Sequence, residues 1–289
     1  MIADVHTHFM DAQAHCGPQV VEDLRRCSID PAFWQFTSDD HLEGTRGADV
    51  ALVFGMRAAC TGWHVPNDAV AEHVNRAPQR LIFFAAIDPA EDGFMPELER
   101  CHQELGAAGV KLGPVYQGVH PLDDRCREIY AYCQRHRLPI ISHMATTFSS
   151  GVPLDYARPI HMDQIACEYP DLRIVLAHMG HPWEAETIAA IRKQPHLYAD
   201  VSALYYRPWQ FYNAMRLAAE YGAGAKLLFG SDFPATTTEG SIRGVRNVNA
   251  VLGQSGLPPV PSVMLDEIIH RDSLSLLGLA APSGAASNP

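Results

Sequence analysis

The feature that most constrains the fold is a series of eight short apolar runs separated by segments with helical periodicity. The runs cover residues 2–8, 49–55, 81–88, 109–113, 139–143, 173–178, 197–202 and 226–232. They are apolar almost without interruption, which is typical of parallel strands covered on both faces. Eight such strands alternating with helices predict an α/β fold of the (β/α)8 TIM-barrel type.

A doubly wound open sheet is the alternative architecture for alternating strands and helices. Its dinucleotide-binding form carries a G-x-G-x-x-G fingerprint directly after the first strand. No such glycine pattern follows residues 2–8. The barrel is therefore favoured, as a single domain over residues 1–280.

Two segments depart from a simple barrel. The connection at residues 9–48 is far longer than a typical loop, and we expect it to lay helices and a lid over the barrel mouth. Residues 281–289 are small and polar, and we expect a flexible tail there.

Charge and cysteine usage limit the partners and the compartment. The net charge of -11 disfavours nucleic acid, because an acidic surface repels phosphate. The sequence has no apolar run of about 18 residues that would cross a membrane, and no signal-peptide pattern is visible. The seven cysteines are scattered and odd in number, which indicates reduced thiols and a cytoplasmic protein acting on a small molecule.

Polar side chains that suit a metal ion stand at the ends of four predicted strands. His6 and His8 are two residues apart, so both point to one side of the first strand. His143, His178 and Asp232 end three later strands, and the active sites of barrels lie at that end. Imidazole and carboxylate ligands are typical of Zn²⁺ and similar divalent ions. The other interpretation is a set of structural histidines.

Five stretches together resemble the amidohydrolase superfamily. They read "DVHTHF", "GVKLGPVYQGVHP", "PIISHMA", "VLAHMGHPW" and "LLFGSDFP". More narrowly, they are similar to the amidohydrolase-related branch that contains aminocarboxymuconate-semialdehyde decarboxylase. The resemblance implies a distorted TIM barrel with one divalent metal ion, most often Zn²⁺, with Mn²⁺ or Fe²⁺ as alternatives, and a possible homodimer. Carried over to this chain, it makes His6, His8, His143 and Asp232 metal ligands, with Asp232 and His178 as catalytic groups.

Lys111 lies on the fourth predicted strand and has three interpretations. In binuclear relatives a lysine at this place is carboxylated and bridges two metal ions. The alternatives are a lysine directed at the substrate and a structural ion pair. An unpaired buried ammonium is costly, so each interpretation requires a partner.

Three further residues are weaker candidates for substrate binding. Arg57 follows the second strand and could hold a substrate carboxylate through two hydrogen bonds, or form a loop salt bridge. Trp63 and Tyr116 fall in predicted strand-to-helix loops and could line an aromatic pocket.

The function predicted from these residues is metal-dependent hydrolysis of a small, carboxylated ester, lactone or amide through an activated water. Decarboxylation of an aromatic or muconate-type acid at the same site is the alternative. A catalytically inactive metal-binding barrel is the second alternative.

Overall fold

The computed structural model describes residues 1–282 and shows one eight-stranded parallel sheet that curls into a barrel. The predicted fold is confirmed. The strands are β1 (Ala3–His8), β2 (Val50–Phe54), β3 (Arg57–Ala58), β4 (Trp63–His64), β5 (Leu81–Ala86), β6 (Gly109–Leu112), β7 (Ile140–Ser142), β8 (Ile174–Leu176), β9 (Leu197–Asp200) and β10 (Leu227–Leu228). Strands β3 and β4 form a separate hairpin, and the others pair in the order β1-β2-β5-β6-β7-β8-β9-β10. The last part of the expected tail, residues 283–289, lies outside the described residues.

Helices cover the outside of this sheet. They are α1 (Ala12–His15), α2 (Pro18–Arg26), α3 (Ser38–Gly44), α4 (Asn67–Val74), α5 (Phe94–Gln103), α6 (Pro114–Gln117), α7 (Asp124–His136), α8 (Ile160–Glu168), α9 (Glu184–Lys193), α10 (Pro208–Glu220), α11 (Thr238–Arg246), α12 (Ser262–His270) and α13 (Ser273–Leu277). None of these helices has the length and hydropathy that crossing a bilayer requires.

The barrel closes between its first and last strands at the end that carries the histidines. The backbone N–H of Val5 donates to Phe229 O at 3.0 Å, and that of His8 donates to Phe233 O at 2.9 Å. The N–H of Asp232 donates to His6 O at 2.7 Å. Closure therefore brings His6 and Asp232, which are far apart in the sequence, side by side.

A shift of register in β1 directs the histidines into the barrel. The pairing of β1 with β2 is interrupted between Asp4 and Thr7. Before the shift, Val5 belongs to the apolar cluster that fills the barrel interior. After it, the rings of His6 and His8 also face inward and lie 5.0 and 4.9 Å from the ring of Phe54. Bulges of this kind re-aim side chains near active sites.

The segment between β1 and β2 folds as three short helices and is tied to two barrel loops. The N–H of Gly17 donates to Gly62 O at 2.8 Å, next to the hairpin of β3 and β4. At the other side, Asp23 accepts from the hydroxyl of Ser150 at 2.9 Å. A cavity of about 280 Å³ lies within this segment, and Trp34 forms part of its wall.

A chain of hydrogen bonds fastens this segment to the outer face of β1. Thr7 Oγ1 donates to Leu52 O at 2.6 Å, so it accepts from His41 Nε2 at 3.1 Å. His41 Nδ1 therefore accepts from His73 Nε2 at 3.0 Å, and His73 Nδ1 accepts from the hydroxyl of Ser38. Each ring has one donor and one acceptor role. A second proton on His41 would set its Nδ1–H against the Nε2–H of His73, and a second proton on His73 would force the Ser38 hydroxyl to turn and accept.

We expect this chain to make the protein sensitive to acid. Burial, together with Arg76 and Arg80, lowers the pKa of His73 to about 4, and burial lowers the pKa of His41 well below its usual value of 6.5. In the unfolded chain both rings take up protons near pH 6.5. Their stabilising contribution is therefore complete above pH 6.5 and is lost as the pH falls towards 4. For His73 this loss amounts to at most about 3 kcal/mol.

The variant His73→Gln tests this expectation, because glutamine forms hydrogen bonds but does not titrate in this range. The free energy of unfolding, measured by denaturant titration between pH 7 and 4, should depend less on pH in this variant than in the parent. The matched control is His64→Gln at an exposed position. Equal pH dependence in His73→Gln and the parent would contradict the expectation.

Candidate metal centre and active site

Three predicted ligands converge at the carboxyl end of the barrel. His6 Nε2 lies 3.3 Å from His8 Nε2 and 3.3 Å from Asp232 Oδ1. His8 Nε2 lies 3.4 Å from the same oxygen. Ligands at 2.0–2.1 Å from a tetrahedral ion are about 3.3 Å apart. The spacing and the chemistry of these atoms therefore fit a divalent metal ion.

His178 belongs to this compact group, and His143 lies at its edge. His6, His178 and Asp232 each offer one ligand atom, and these atoms lie within 4.8 Å of one another. The ring of His143 is 5.0 Å from that of His178, but its Nε2 donates to Thr146 O at 3.1 Å. The geometry favours His178 as the additional donor, and the ligand role of His143 stays a prediction.

The backbone is strained at two of these residues. His178 has φ = 57° and Asp232 has φ = 61°, a left-handed conformation that is uncommon for residues other than glycine. Both follow strands that end earlier than the apolar runs suggest, β8 at Leu176 and β10 at Leu228. The chain turns sharply there and aims both side chains over the barrel mouth. Such strain is typical of functional sites.

Lys111 is a buried cation beside the same atoms. Its Nζ is 3.2 Å from His6 Nε2 and 4.5 Å from the centre of the Phe54 ring. Burial lowers the pKa of Lys111 to about 8, while Asp232 and Asp200 oppose this shift. Its hydrogen bond goes to an imidazole and not to a carboxylate. Carboxylation of Lys111 and its contact with substrate stay predictions.

Burial keeps the imidazoles of the site neutral. Burial, reinforced by the charge of Lys111, lowers the pKa of His6 and of His8 well below 6.5. Burial also lowers the pKa of His178 well below 6.5. Burial raises the pKa of Asp232 well above its ordinary value, although Lys111 opposes this shift. Neutral imidazoles are the form that binds a metal ion.

Asp200 and Ser202 are site residues that the sequence analysis did not single out. Asp200 ends β9, and its Oδ2 lies 2.9 Å from His6 Nδ1. Its Oδ1 accepts from the backbone N–H groups of His178 at 3.0 Å and of Ser202 at 3.1 Å. The signal was present, because Asp200 is a polar residue at the end of an apolar run, like Asp232.

Aromatic side chains form one wall of the mouth. The ring of Trp63 is 6.4 Å from that of Tyr116, which lies 4.9 Å from the ring of His143. Trp34, from the segment between β1 and β2, lies 5.5 Å from Trp63 and 6.5 Å from His8. The structure thus brings Trp63 and Tyr116 near the site, and their contact with substrate stays a prediction.

Arg57 is engaged in a salt bridge. Its guanidinium contacts the carboxylate of Glu91 within the loops of the mouth. This is the loop salt bridge that was the alternative to a substrate clamp. Binding of a substrate carboxylate by Arg57 stays a prediction.

A second group of metal-ligating residue types lies on the segments after β6 and β7, including the first turn of α8. It consists of His120, Asp155 and His161. His120 Nδ1 accepts from the N–H of Leu122 at 3.1 Å, and His161 Nε2 donates to Asp155 O at 3.1 Å. Both rings therefore carry their proton on Nε2 and direct it towards Asp155. This arrangement is a hydrogen-bonded clasp between two loops.

Comparison with known families decides the relationship of the chain. The family model described as Amidohydrolase matches residues 3–266. The chain belongs to the amidohydrolase family. The predicted family membership is confirmed, and so is the prediction that the chain is an enzyme of the amidohydrolase type.

The chain is also similar to a curated protein, the 2-keto-4-carboxy-3-hexenedioate hydratase of Sphingobium sp. (strain NBRC 103272 / SYK-6). It is 27% identical to the chain over 69% of this chain and 68% of the relative. The resemblance extends over most of the amidohydrolase barrel.

Solved structures share the amidohydrolase fold with low sequence identity. A probable 2-pyrone-4,6-dicarboxylic acid hydrolase from Acinetobacter baumannii has a TM-score of 0.66 and 18% identity, covering 96% of this chain and 99% of the other. A dihydroxybenzoic acid decarboxylase from Polaromonas sp. JS666, with bound manganese and 2-nitroresorcinol, has a TM-score of 0.65 and 16% identity, covering 96% and 97%. These structures show the same fold, and the Polaromonas decarboxylase holds manganese in it.

Proposed function

We propose that this chain is a metal-dependent enzyme that uses water to hydrolyse an ester, lactone or amide bond in a small, carboxylated molecule. The observation that carries the proposal is the convergence of His6, His8 and Asp232 within 3.3 to 3.4 Å in a buried site, with His178 beside them. A hydrolase of the same fold and a hydratase relative, both of which use water as a reactant, support it.

We propose one ion, held by His6, His8 and Asp232 with His178 or, as the motifs imply, His143. Three imidazoles and one carboxylate favour Zn²⁺, with Mn²⁺ or Fe²⁺ as alternatives. When bound, the ion supplies Lewis acidity and makes water more acidic.

The residues of the chain then move the protons. Asp232 takes a proton from the attacking water and returns it to the leaving group, and its raised pKa suits this exchange. If His143 is the fourth ligand of the ion, His178 Nε2 is the second group that holds or passes a proton. Lys111 supplies positive charge for a substrate carboxylate, and residues 9–48 act as the lid that excludes bulk water.

Two other reactions have specific support. The curated relative favours hydration of a carbon-carbon double bond in an unsaturated acid. The decarboxylase neighbours favour loss of carbon dioxide from an aromatic acid. An inactive metal-binding barrel is the remaining alternative.

We also propose that the protein is cytoplasmic and forms a homodimer. Size-exclusion chromatography with light scattering tests the oligomeric state.

The deciding experiment measures metal content and then offers lactones, unsaturated polycarboxylic acids and aromatic acids in ¹⁸O-labelled water. Label in a newly released carboxylate together with acid release supports hydrolysis. Label in a new hydroxyl group supports hydration, and carbon dioxide without label in the organic product supports decarboxylation. Either of the last two results would overturn hydrolysis, and turnover that survives complete removal of metal would overturn metal dependence.

A further inference from the structure

We infer that Asp200 and Ser202 form one positioning unit that fixes where His6 and His178 carry their protons. The inference rests on the proposed function only in so far as it gives these two histidines their task. The unit is completely buried, since both side chains have 0% exposure. Its oxygens contact the Nδ1 side of both imidazoles.

The proton of His6 is set by direct contact. Asp200 Oδ1 receives the two backbone N–H groups of His178 and Ser202 and the hydroxyl of Ser202. Lys111 Nζ, which can only donate, lies 3.2 Å from His6 Nε2, so Nε2 carries the lone pair and Nδ1 carries the proton of the ring. Asp200 Oδ2 therefore accepts from His6 Nδ1–H at 2.9 Å. The lone pair of His6 Nε2 faces Lys111, His8 and Asp232.

The proton of His178 is set through Ser202. The hydroxyl hydrogen of Ser202 is used in the bond to Asp200, so the oxygen of Ser202 can only accept from His178. It does so from His178 Nδ1–H at 2.8 Å. His178 Nε2 then carries a lone pair, as His6 Nε2 does, and each ring offers one ligand atom within 4.8 Å of that of Asp232. The carboxylate of Asp200, directly and through Ser202, thus places the proton of both imidazoles on Nδ1.

The same carboxylate also stabilises the strained backbone of His178. The N–H of His178, at φ = 57°, ends on Asp200 Oδ1. Strand β9 holds Asp200 in place because it pairs with β8 on one side and with β10 on the other. Asp200 therefore joins the ring orientation of His178, which follows β8, to that of His6 on β1, on the far side of β10.

Asp200→Asn gives a sharp test, because its amide should reverse the proton on His6. Three donors hold the amide oxygen at the Oδ1 position, so the amide NH₂ must face His6 Nδ1. His6 Nδ1 then has to accept, and its proton moves to Nε2, into the proposed metal site. Loss of such an outer partner typically lowers metal affinity about 10- to 100-fold.

The experiment compares Asp200→Asn, Ser202→Ala and the control Ser142→Ala. Ser142 is buried in the nearby strand β7, and its hydroxyl has no hydrogen-bond partner among the described residues. Histidine ¹⁵N shifts of the metal-free proteins report the proton positions, and competition with a chelator for Zn²⁺ reports affinity. We expect Asp200→Asn to move the His6 proton to Nε2 and to lower Zn²⁺ affinity about 10- to 100-fold. Ser202→Ala should change the shifts of His178 only, and the control should match the parent.

An unchanged His6 proton in folded Asp200→Asn would overturn the inference, as would parent-like His178 shifts in Ser202→Ala. If Asp200→Asn does not fold, the ¹⁵N shifts of His178 in Ser202→Ala test the inference alone. The proton positions are read without metal or substrate. Proton shifts as expected in the variants, together with no turnover by the parent, would therefore reject the proposed function and leave this inference standing.

Discussion

Replacement of Asp232 by asparagine should lower turnover about 10²- to 10⁴-fold while the barrel stays folded. The amide has nearly the same shape as the carboxylate but cannot take a proton from water. It is also a weaker ligand beside His6 and His8, from which Asp232 Oδ1 is now 3.3 and 3.4 Å away. Initial rates, metal content and the thermal unfolding midpoint of the purified variant measure the effect.

The control for this variant is Asp39→Asn, the same chemical change at an exposed residue of α3 that pairs with Arg76. It should retain the turnover of the parent. Parent-like turnover in Asp232→Asn would reject the proposed proton transfer. An inactive barrel would have no turnover to lose, so the parent itself separates that alternative.

Gly180→Ala should destabilise the protein by about 3 kcal/mol and disturb the position of His178. Gly180 has φ = 70°, a conformation in which a side chain costs about 1–2 kcal/mol. A Cβ at this place would lie 2.0 Å from Thr187 Oγ1 and 2.5 Å from Pro159 Cγ. Such overpacking adds about 1–3 kcal/mol. Because Gly180 follows His178 in the same left-handed turn, the strain should also reach the site.

Gly222→Ala separates the two contributions. Gly222 has nearly the same φ, 68°, but a Cβ there would meet nothing within 4 Å. It should cost about 1–2 kcal/mol through the backbone conformation alone, with normal metal retention. Denaturant titration of both variants gives the free energies of unfolding. Equal losses in the two variants would contradict the role of Thr187 and Pro159.

Much of the fold could be predicted because parallel strands leave a simple mark in the sequence. Each of the eight apolar runs contains one barrel strand, from β1 at Ala3–His8 to β10 at Leu227–Leu228. Burial on both faces requires such runs to be apolar throughout. The strands are shorter than the runs, because the last residues of several runs leave the ladder and turn into the mouth. The hairpin of β3 and β4 was missed because strands of two residues have no periodicity to detect.

The site was less predictable, because its chemistry depends on contacts between distant segments. Trp34 reaches the ring of His8 from a helical turn whose place could not be read from the sequence. Arg57 pairs with Glu91, 34 residues away, whereas its position after a strand left a loop salt bridge and a substrate clamp as alternatives. His143 stands at the predicted strand end, yet its Nε2 turns to Thr146 O in its own loop.

The amino-acid sequence alone determined that strands would carry His6, His8, His178 and Asp232 to one end of a barrel, because alternation along strands and burial on both faces are local properties. The tertiary structure decided which of their atoms come into contact and which hydrogen-bond partner each ring nitrogen has. Closure of β1 against the segment after β10 sets His6 beside Asp232, and the carboxylate of Asp200 ends between His6 and His178. The contacts of His6 with Asp200 and with Asp232 join residues about 200 positions apart, and only packing of the whole barrel specifies such distances.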